Sequence, residues 1–165
     1  MATAYLSLGS NIDAMAHLRG ARDALDARFD AVRVSPVYVT RAVGFDGADF
    51  HNAAAVIRTD LAPDALNAWL HALEAEHGRD RTGPRFGDRT LDVDIVLFED
   101  DAGRGVVMTG DAHLQLPRDD LKHAFVLKPL ADIAPQVVVP GDGRTLQALW
   151  HSHPDVDSAF AMADW

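Results

Sequence analysis

The chain has 165 residues, 48% of them hydrophobic, and carries a formal net charge of -10 at neutral pH. That length fits one domain with a real core, and the composition is that of an ordinary globular protein. The acid excess excludes a general nucleic-acid or anionic-membrane binder unless basic residues are gathered locally, and the absence of cysteine excludes disulfides and thiolate metal sites.

The elements follow in order. The start, MATAYLSLGSN, lacks the basic and long apolar segments of a secretory leader, so a cytoplasmic protein is expected. No apolar run is long enough to cross a membrane. Thr3–Leu8 alternates as a first strand, and Gly9, Ser10 and Asn11 close it as a turn. Residues 14–28 have helical spacing, with Met15, Leu18, Ala21 (or Arg22) and Leu25 on one face and Asp13 as N-cap. Phe29–Thr40 alternates through Val32, Val34 and Val37, and Pro36 marks an edge or a bend. A loop with Gly44 and Gly47 leads to a third strand at 50–59. Pro63 opens a second helix with Leu66, Trp69, Leu70 and Leu73 inward, and Gly78 stops it.

Residues 78–89, GRDRTGPRFGDR, then read as a loop. Four arginines, Arg79, Arg81, Arg85 and Arg89, face only Asp80 and Asp88, a local exception to the global charge. Arginine presents a planar fork of donors suited to phosphate oxygens. The loop runs into RTLDVDIVLF, a strand with Asp92 and Asp94 two residues apart. Positions i and i+2 share a strand face, so the two carboxylates project together, with Val96 and Phe98 beyond them. Leu91, Val93, Ile95 and Leu97 take the other face. The carboxylates start roughly 6–7 Å apart and repel by about 2–3 kcal/mol at an effective dielectric near 20. A hard divalent cation would reverse that sign. Arginine loop and Asp-x-Asp strand together suggest a site for polyphosphate and metal; two surface aspartates on a wet edge strand remain the plainer alternative.

The order β-α-β-β-α-β predicts an α+β, ferredoxin-like fold: one antiparallel sheet with its helices on one face. Residues 99–116 read as an irregular insertion or hairpin, 117–135 as a turn and short helix, 137–140 as a short strand and 145–150 as a helical turn. One domain over residues 1–150 is expected, followed by a solvated tail, 151–165, that carries His151 and His153.

Several motifs occur together at compatible distances: AYLSLGSN, SPVYVT, FHNAAAV, LEAEHGR, RFGDRTLDVDIVLF and LP…AFVLKPLADIAP. In these the chain resembles the 6-hydroxymethyl-7,8-dihydropterin pyrophosphokinases of folate biosynthesis, from residue 4 to about residue 150. The resemblance implies transfer of pyrophosphate from ATP to the pterin hydroxymethyl oxygen, with release of AMP. It implies that Asp92 and Asp94 hold two magnesium ions and, with Arg79 and Arg89, carry catalysis. It places Glu74, Arg79, Arg81, Arg85, Arg89, Ile95, His113, Arg118 and Lys122 at the nucleotide. It places Thr40, Val43, Phe50, Asn52, Phe86 and Phe125 at the pterin, and makes loop 41–49 a lid. The implied partners are small molecules, ATP and a reduced pterin, taken by a monomer, with neither nucleic acid nor membrane.

The chain departs from that pattern after Pro117, where Arg118 replaces a histidine. The segment to Phe125 is one residue short, His123 stands for an arginine, and Phe86 stands for a tryptophan. Arg118 and Lys122 are candidates to replace the lost contacts. A diverged paralogue with another pterin and a non-catalytic binding module are the alternatives. The Asp pair with its arginines argues against the module, and the charge and lack of an aromatic RNP pattern argue against an RNA-binding domain.

Overall fold

The computed structural model describes residues 1–40, 49–78, 90–110 and 114–165. Its elements are β1 (Ala2–Ser10), α1 (Ala14–Arg28), β2 (Asp30–Val34), β3 (Val37–Thr40), β4 (Phe50–Thr59), α2 (Pro63–Glu76), β5 (Asp92–Glu99), a 3-10 turn (Asp119–Lys122), α3 (Ala124–Ile133), α4 (Leu146–His151) and β6 (Ala161–Ala163). The antiparallel sheet runs β5-β1-β4-β3-β6, with β2 also paired to β4.

The central strands are buried on both faces, which explains the unbroken apolar run Ala53–Ile57 in β4. Leu6, Leu8, Ala53, Ala55 and Ile57 pack with Leu18 and Leu25 of α1 and Leu66, Leu70 and Leu73 of α2. Tyr5, Ala54 and Val56 point the opposite way and meet Val126, Leu127 and Leu130 of α3 and Leu146 and Trp150 of α4. Helices therefore cover both faces, where the sequence order predicted one. Each fully buried leucine contributes about 1.5–3 kcal/mol of apolar burial. On the α3 side burial, with Glu99, raises the Tyr5 phenol above its ordinary pKa, and burial with Asp132 does the same to Tyr38.

Other expectations are refined. The strand read over 29–40 is two, because Pro36 cannot donate to a ladder. Ser35 spans the break: its N–H donates to Ala54 O at 2.9 Å and its hydroxyl accepts from Ala54 N at 2.8 Å. Asp13 does not cap α1 through its side chain; it takes a left-handed backbone, φ 46°. The face of β5 changes midway: a register shift opposite Tyr5 and Leu6 puts Val96 and Leu97 in the α3 layer and Phe98 in the α1/α2 layer. An extra residue in a strand reverses the alternation beyond it. The short strand expected at 137–140 is a single bridge, Val138 to Thr145. The final residues are tied down: β6 pairs with β3, and Trp165 Nε1 donates to Ser35 O at 2.7 Å. His153 Nε2 donates to Lys122 O at 2.8 Å, while His151 stays exposed.

The helices of the first layer also meet through histidines. His17 Nδ1 lies 2.7 Å from His77 Nδ1, rings edge to face. One nitrogen must donate and the other accept, so the accepting ring carries no proton on that nitrogen and the two rings cannot both be charged in this bond. Gly20 makes room: a Cβ there would sit 2.7 Å from His77 Cε1, which explains a glycine inside a helix. Burial, then His17, lowers the His77 pKa below the ordinary 6.5. Between the two values the unfolded chain binds the extra proton, so this stabilisation is present above the unfolded value and is lost as pH falls through the folded one. The melting temperature of the wild type should therefore drop as the pH is lowered through and below the ordinary histidine range, and less so for His77→Gln; parallel profiles would contradict the assignment.

Candidate active site

One face of β1 carries Tyr5, Ser7 and Gly9, shrinking toward the end of the strand. The small residues leave a cleft on the α3 side, lined by Ser7, Gly9, Asn52, Asp92, Asp94, Val96, Arg118, Asp120, Phe125 and Val126. Its floor follows from register. Gly9 pairs with Asp92 on one side and with Asn52 on the other; Ser7 pairs with Asp94 and with Ala54. Asp92 and Asn52 thus stand two strand spacings apart, roughly 10 Å, across a residue without a side chain.

Asp92 and Asp94 share this face and are half-buried. The backbone between them is braced from behind. β5 is an edge strand, and the outward Val93 N–H donates to Glu74 Oε2 at 2.8 Å. Glu74 is fully buried within α2, so its carboxylate positions the Asp strand and offers no surface to a nucleotide. From the other end, the buried Ser10 hydroxyl donates to Thr90 O at 2.5 Å, tying the turn after β1 to the entry of β5.

Arg118 supplies the cation. Its N–H donates to Val96 O at 2.9 Å, its Nε to Asp120 Oδ2 at 3.0 Å, and its Nη2 lies 3.6 Å from Asp94 Oδ1. Burial works against its charge, but Asp94, Asp120 and Asp92 outweigh this and raise its pKa. Lys122 is directed elsewhere: it pairs with Asp119 at 2.9 Å, well exposed and not in the cleft lining.

On the Asn52 side, Nδ2 donates to Thr40 Oγ1 at 3.4 Å. Phe50 lies two residues before Asn52 on the same strand face and pairs in register with Thr40. Phe125 enters the cleft from α3, and His123 stacks on it at 5.0 Å, with 8° between the planes. Gly9 is needed because a Cβ there would lie 2.9 Å from Asn52 Oδ1. Gly9→Ala should raise the KM for a ligand read by Asn52 about tenfold, the loss of one hydrogen bond, and leave the nucleotide KM unchanged; steady-state kinetics with each substrate varied checks this.

The structure therefore gathers Asp92, Asp94, Asn52, Arg118 and Phe125, with Thr40 and Phe50 adjoining. It turns Ile95 away: that side chain is buried among the residues of the α1/α2 layer, since it alternates with Asp94. Val43, Arg79, Arg81, Arg85, Phe86, Arg89 and His113 lie outside the described residues. Ser7, Gly9 and Asp120 belong to the site without having been marked as binding residues. The signal for the first two was the shrinking series on alternate positions of β1; Asp120 had none.

The donor set suits a hard cation. Two half-buried carboxylates share one face, and among the described residues no group of three or more His, Cys, Asp or Glu forms a cage. Magnesium takes one or two carboxylates and completes its shell with phosphate oxygens and water.

The 7,8-dihydro-6-hydroxymethylpterin-pyrophosphokinase profile matches residues 5–135. A Pseudomonas aeruginosa protein named 2-amino-4-hydroxy-6-hydroxymethyldihydropteridine pyrophosphokinase is 40% identical over 161 residues, covering 91% of each chain. A Bacillus subtilis protein of the same name is 41% identical over 138 residues, covering 81% of this chain and 79% of its own. The fold matches a Plasmodium falciparum HPPK-DHPS crystal structure with a TM-score of 0.68 at 13% identity, over 92% of this chain and 43% of that one. On the profile match over residues 5–135 and the identity to these relatives, the chain belongs to the 7,8-dihydro-6-hydroxymethylpterin-pyrophosphokinase family.

Proposed function

We propose that this cleft is where the chain transfers pyrophosphate from ATP to the hydroxymethyl group of 6-hydroxymethyl-7,8-dihydropterin, in folate biosynthesis. The chain is an ATP-dependent pyrophosphokinase acting on small molecules. The observation that carries the site assignment is the row Asp92–Gly9–Asn52: carboxylates at one end, a hydrogen-bonding amide at the other, and an open floor between.

Asp92 and Asp94 would hold two magnesium ions. When bound, such ions neutralise phosphate charge and lower the pKa of the attacking hydroxyl. The rest falls to the chain's own residues. Asn52, fixed by Thr40, presents an amide to the pterin edge. Phe50 and Phe125 offer ring faces to a flat heterocycle, with His123 backing Phe125. Arg118 and the loop residues Arg79, Arg81, Arg85 and Arg89 meet phosphate oxygens, while Val43 and Phe86 close over the substrate and His113 adjoins the nucleotide. Phosphoryl-type transfer depends mostly on this kind of positioning and charge neutralisation. The reading includes one catalytic unit over residues 1–150 with 151–165 as its tail, working as a monomer in the cytoplasm, without nucleic acid or membrane. None of the described helices is long and apolar enough to cross a membrane.

The test is AMP release from ATP, magnesium and 6-hydroxymethyl-7,8-dihydropterin by the purified chain. AMP formed by the wild type and only in the presence of the pterin supports the reading. Pterin binding without AMP would leave a binding module instead.

A further inference from the structure

Arg118 and a divalent cation would make use of the same atoms. The guanidinium Nη2 stands 3.6 Å from Asp94 Oδ1, an ion-pair distance longer than a hydrogen bond. Its Nε makes the tighter contact, 3.0 Å, to Asp120 Oδ2, and the Arg118 backbone is fixed to Val96 O. Asp120 therefore anchors the near end of the fork, and the Asp94 end is the one that yields. About 29% of the Arg118 side chain is exposed, so the outer end of the fork has room to turn.

We propose that Arg118 couples the two cargoes of the site: it competes with a bare divalent cation for Asp94, and polyphosphate oxygens draw it off that carboxylate. This rests on the assignment of Asp92 and Asp94 as metal ligands and adds a property to it. A cation alone must share Asp94 with a fixed positive charge. A cation arriving with a polyphosphate brings the anion that this charge prefers, since a planar fork fits phosphate oxygens as well as carboxylate. Metal and nucleotide then bind as one species, and by linkage each strengthens the other. A histidine at this position would be neutral for much of the physiological range and would impose no such constraint.

The experiment is manganese binding by the full chain, with free Mn2+ counted by electron paramagnetic resonance, for wild type, Arg118→Gln and Arg118→Lys. In the absence of nucleotide, Arg118→Gln should bind Mn2+ about threefold to fivefold tighter, the scale of one partly exposed charge pair, with Arg118→Lys between the two. With a non-hydrolysable ATP analogue, the same Gln variant should bind the metal–nucleotide about tenfold more weakly. Opposite signs for one substitution are a result that a merely structural arginine would not give. Unchanged or weaker Mn2+ binding by Arg118→Gln overturns the coupling, and if that variant does not fold, Arg118→Lys with wild-type Mn2+ affinity does the same. Should Asp94→Asn bind Mn2+ like the wild type even with the analogue, the metal assignment itself falls, whatever Arg118 does.

Discussion

Asp94→Asn should lower kcat/KM for pyrophosphoryl transfer by roughly a thousandfold while leaving the melting temperature unchanged or higher. The reason lies in the register. Asp94 faces Ser7 and shares its side of β5 with Asp92, so two like charges are held close by a backbone that cannot separate them. Isolated, that arrangement costs about 2–3 kcal/mol at an effective dielectric near 20. Arg118 offsets part of it. Removing one charge relieves the fold and removes a phosphate-neutralising ligand, so activity and stability move apart. AMP release and thermal melting on the same preparation check both halves. A variant that keeps a tenth of wild-type activity, or that melts far earlier, would remove Asp94 from the proposed chemistry.

Glu74→Ala should act in the other direction, with stability falling first. Glu74 is fully buried, and its Oε2 accepts the Val93 N–H on the outer edge of β5. Deleting the carboxylate leaves a buried donor without that partner and opens space in the α2 face. A lost acceptor of this kind costs about 1–3 kcal/mol, more when it is charged. For a chain of this length the melting temperature should fall by about 5–10 °C. Since Val93 separates the two aspartates, activity at a temperature where the variant is still folded should also fall. Glu74→Gln, which keeps an acceptor, should recover part of the stability. A melting temperature within about 1 °C of wild type would show that the Val93 bond does not brace the strand.

The elements around the cleft were legible because their signals are local. Helical spacing gave α1 and α2, and Asp92 and Asp94 could be put on one face from a period of two alone. The resemblance added Asn52 and Phe125, which periodicity would have left in the core. What escaped depends on contacts distant in sequence. Nothing within RTLDVDIVLF marks the shift at Val96 that turns Phe98 to the other layer; it appears only against β1. Glu74 looks like any acid near a helix end until β5 is set beside it. The second helical layer escaped because residues 117–151 carry short segments whose apolar faces make sense only against Tyr5, Ala54 and Val56. The tail read as polar because β6 is three residues long, and its partner Val37–Val39 offers no pattern that a sequence reader could pair with it.

That short strand has a bearing on solubility. A sheet with bare borders invites other chains to add to it, and brief or covered borders prevent this. At one border of this sheet a carboxylate already occupies the Val93 N–H. At the other, Ala161–Ala163 covers β3, and Trp165 fastens the end of the chain to Ser35 and lies under the Arg22 guanidinium. Residues 161–165 thus act as a hem: clipped by a protease, they would bare β3, the strand that carries Thr40, as a template for aggregation.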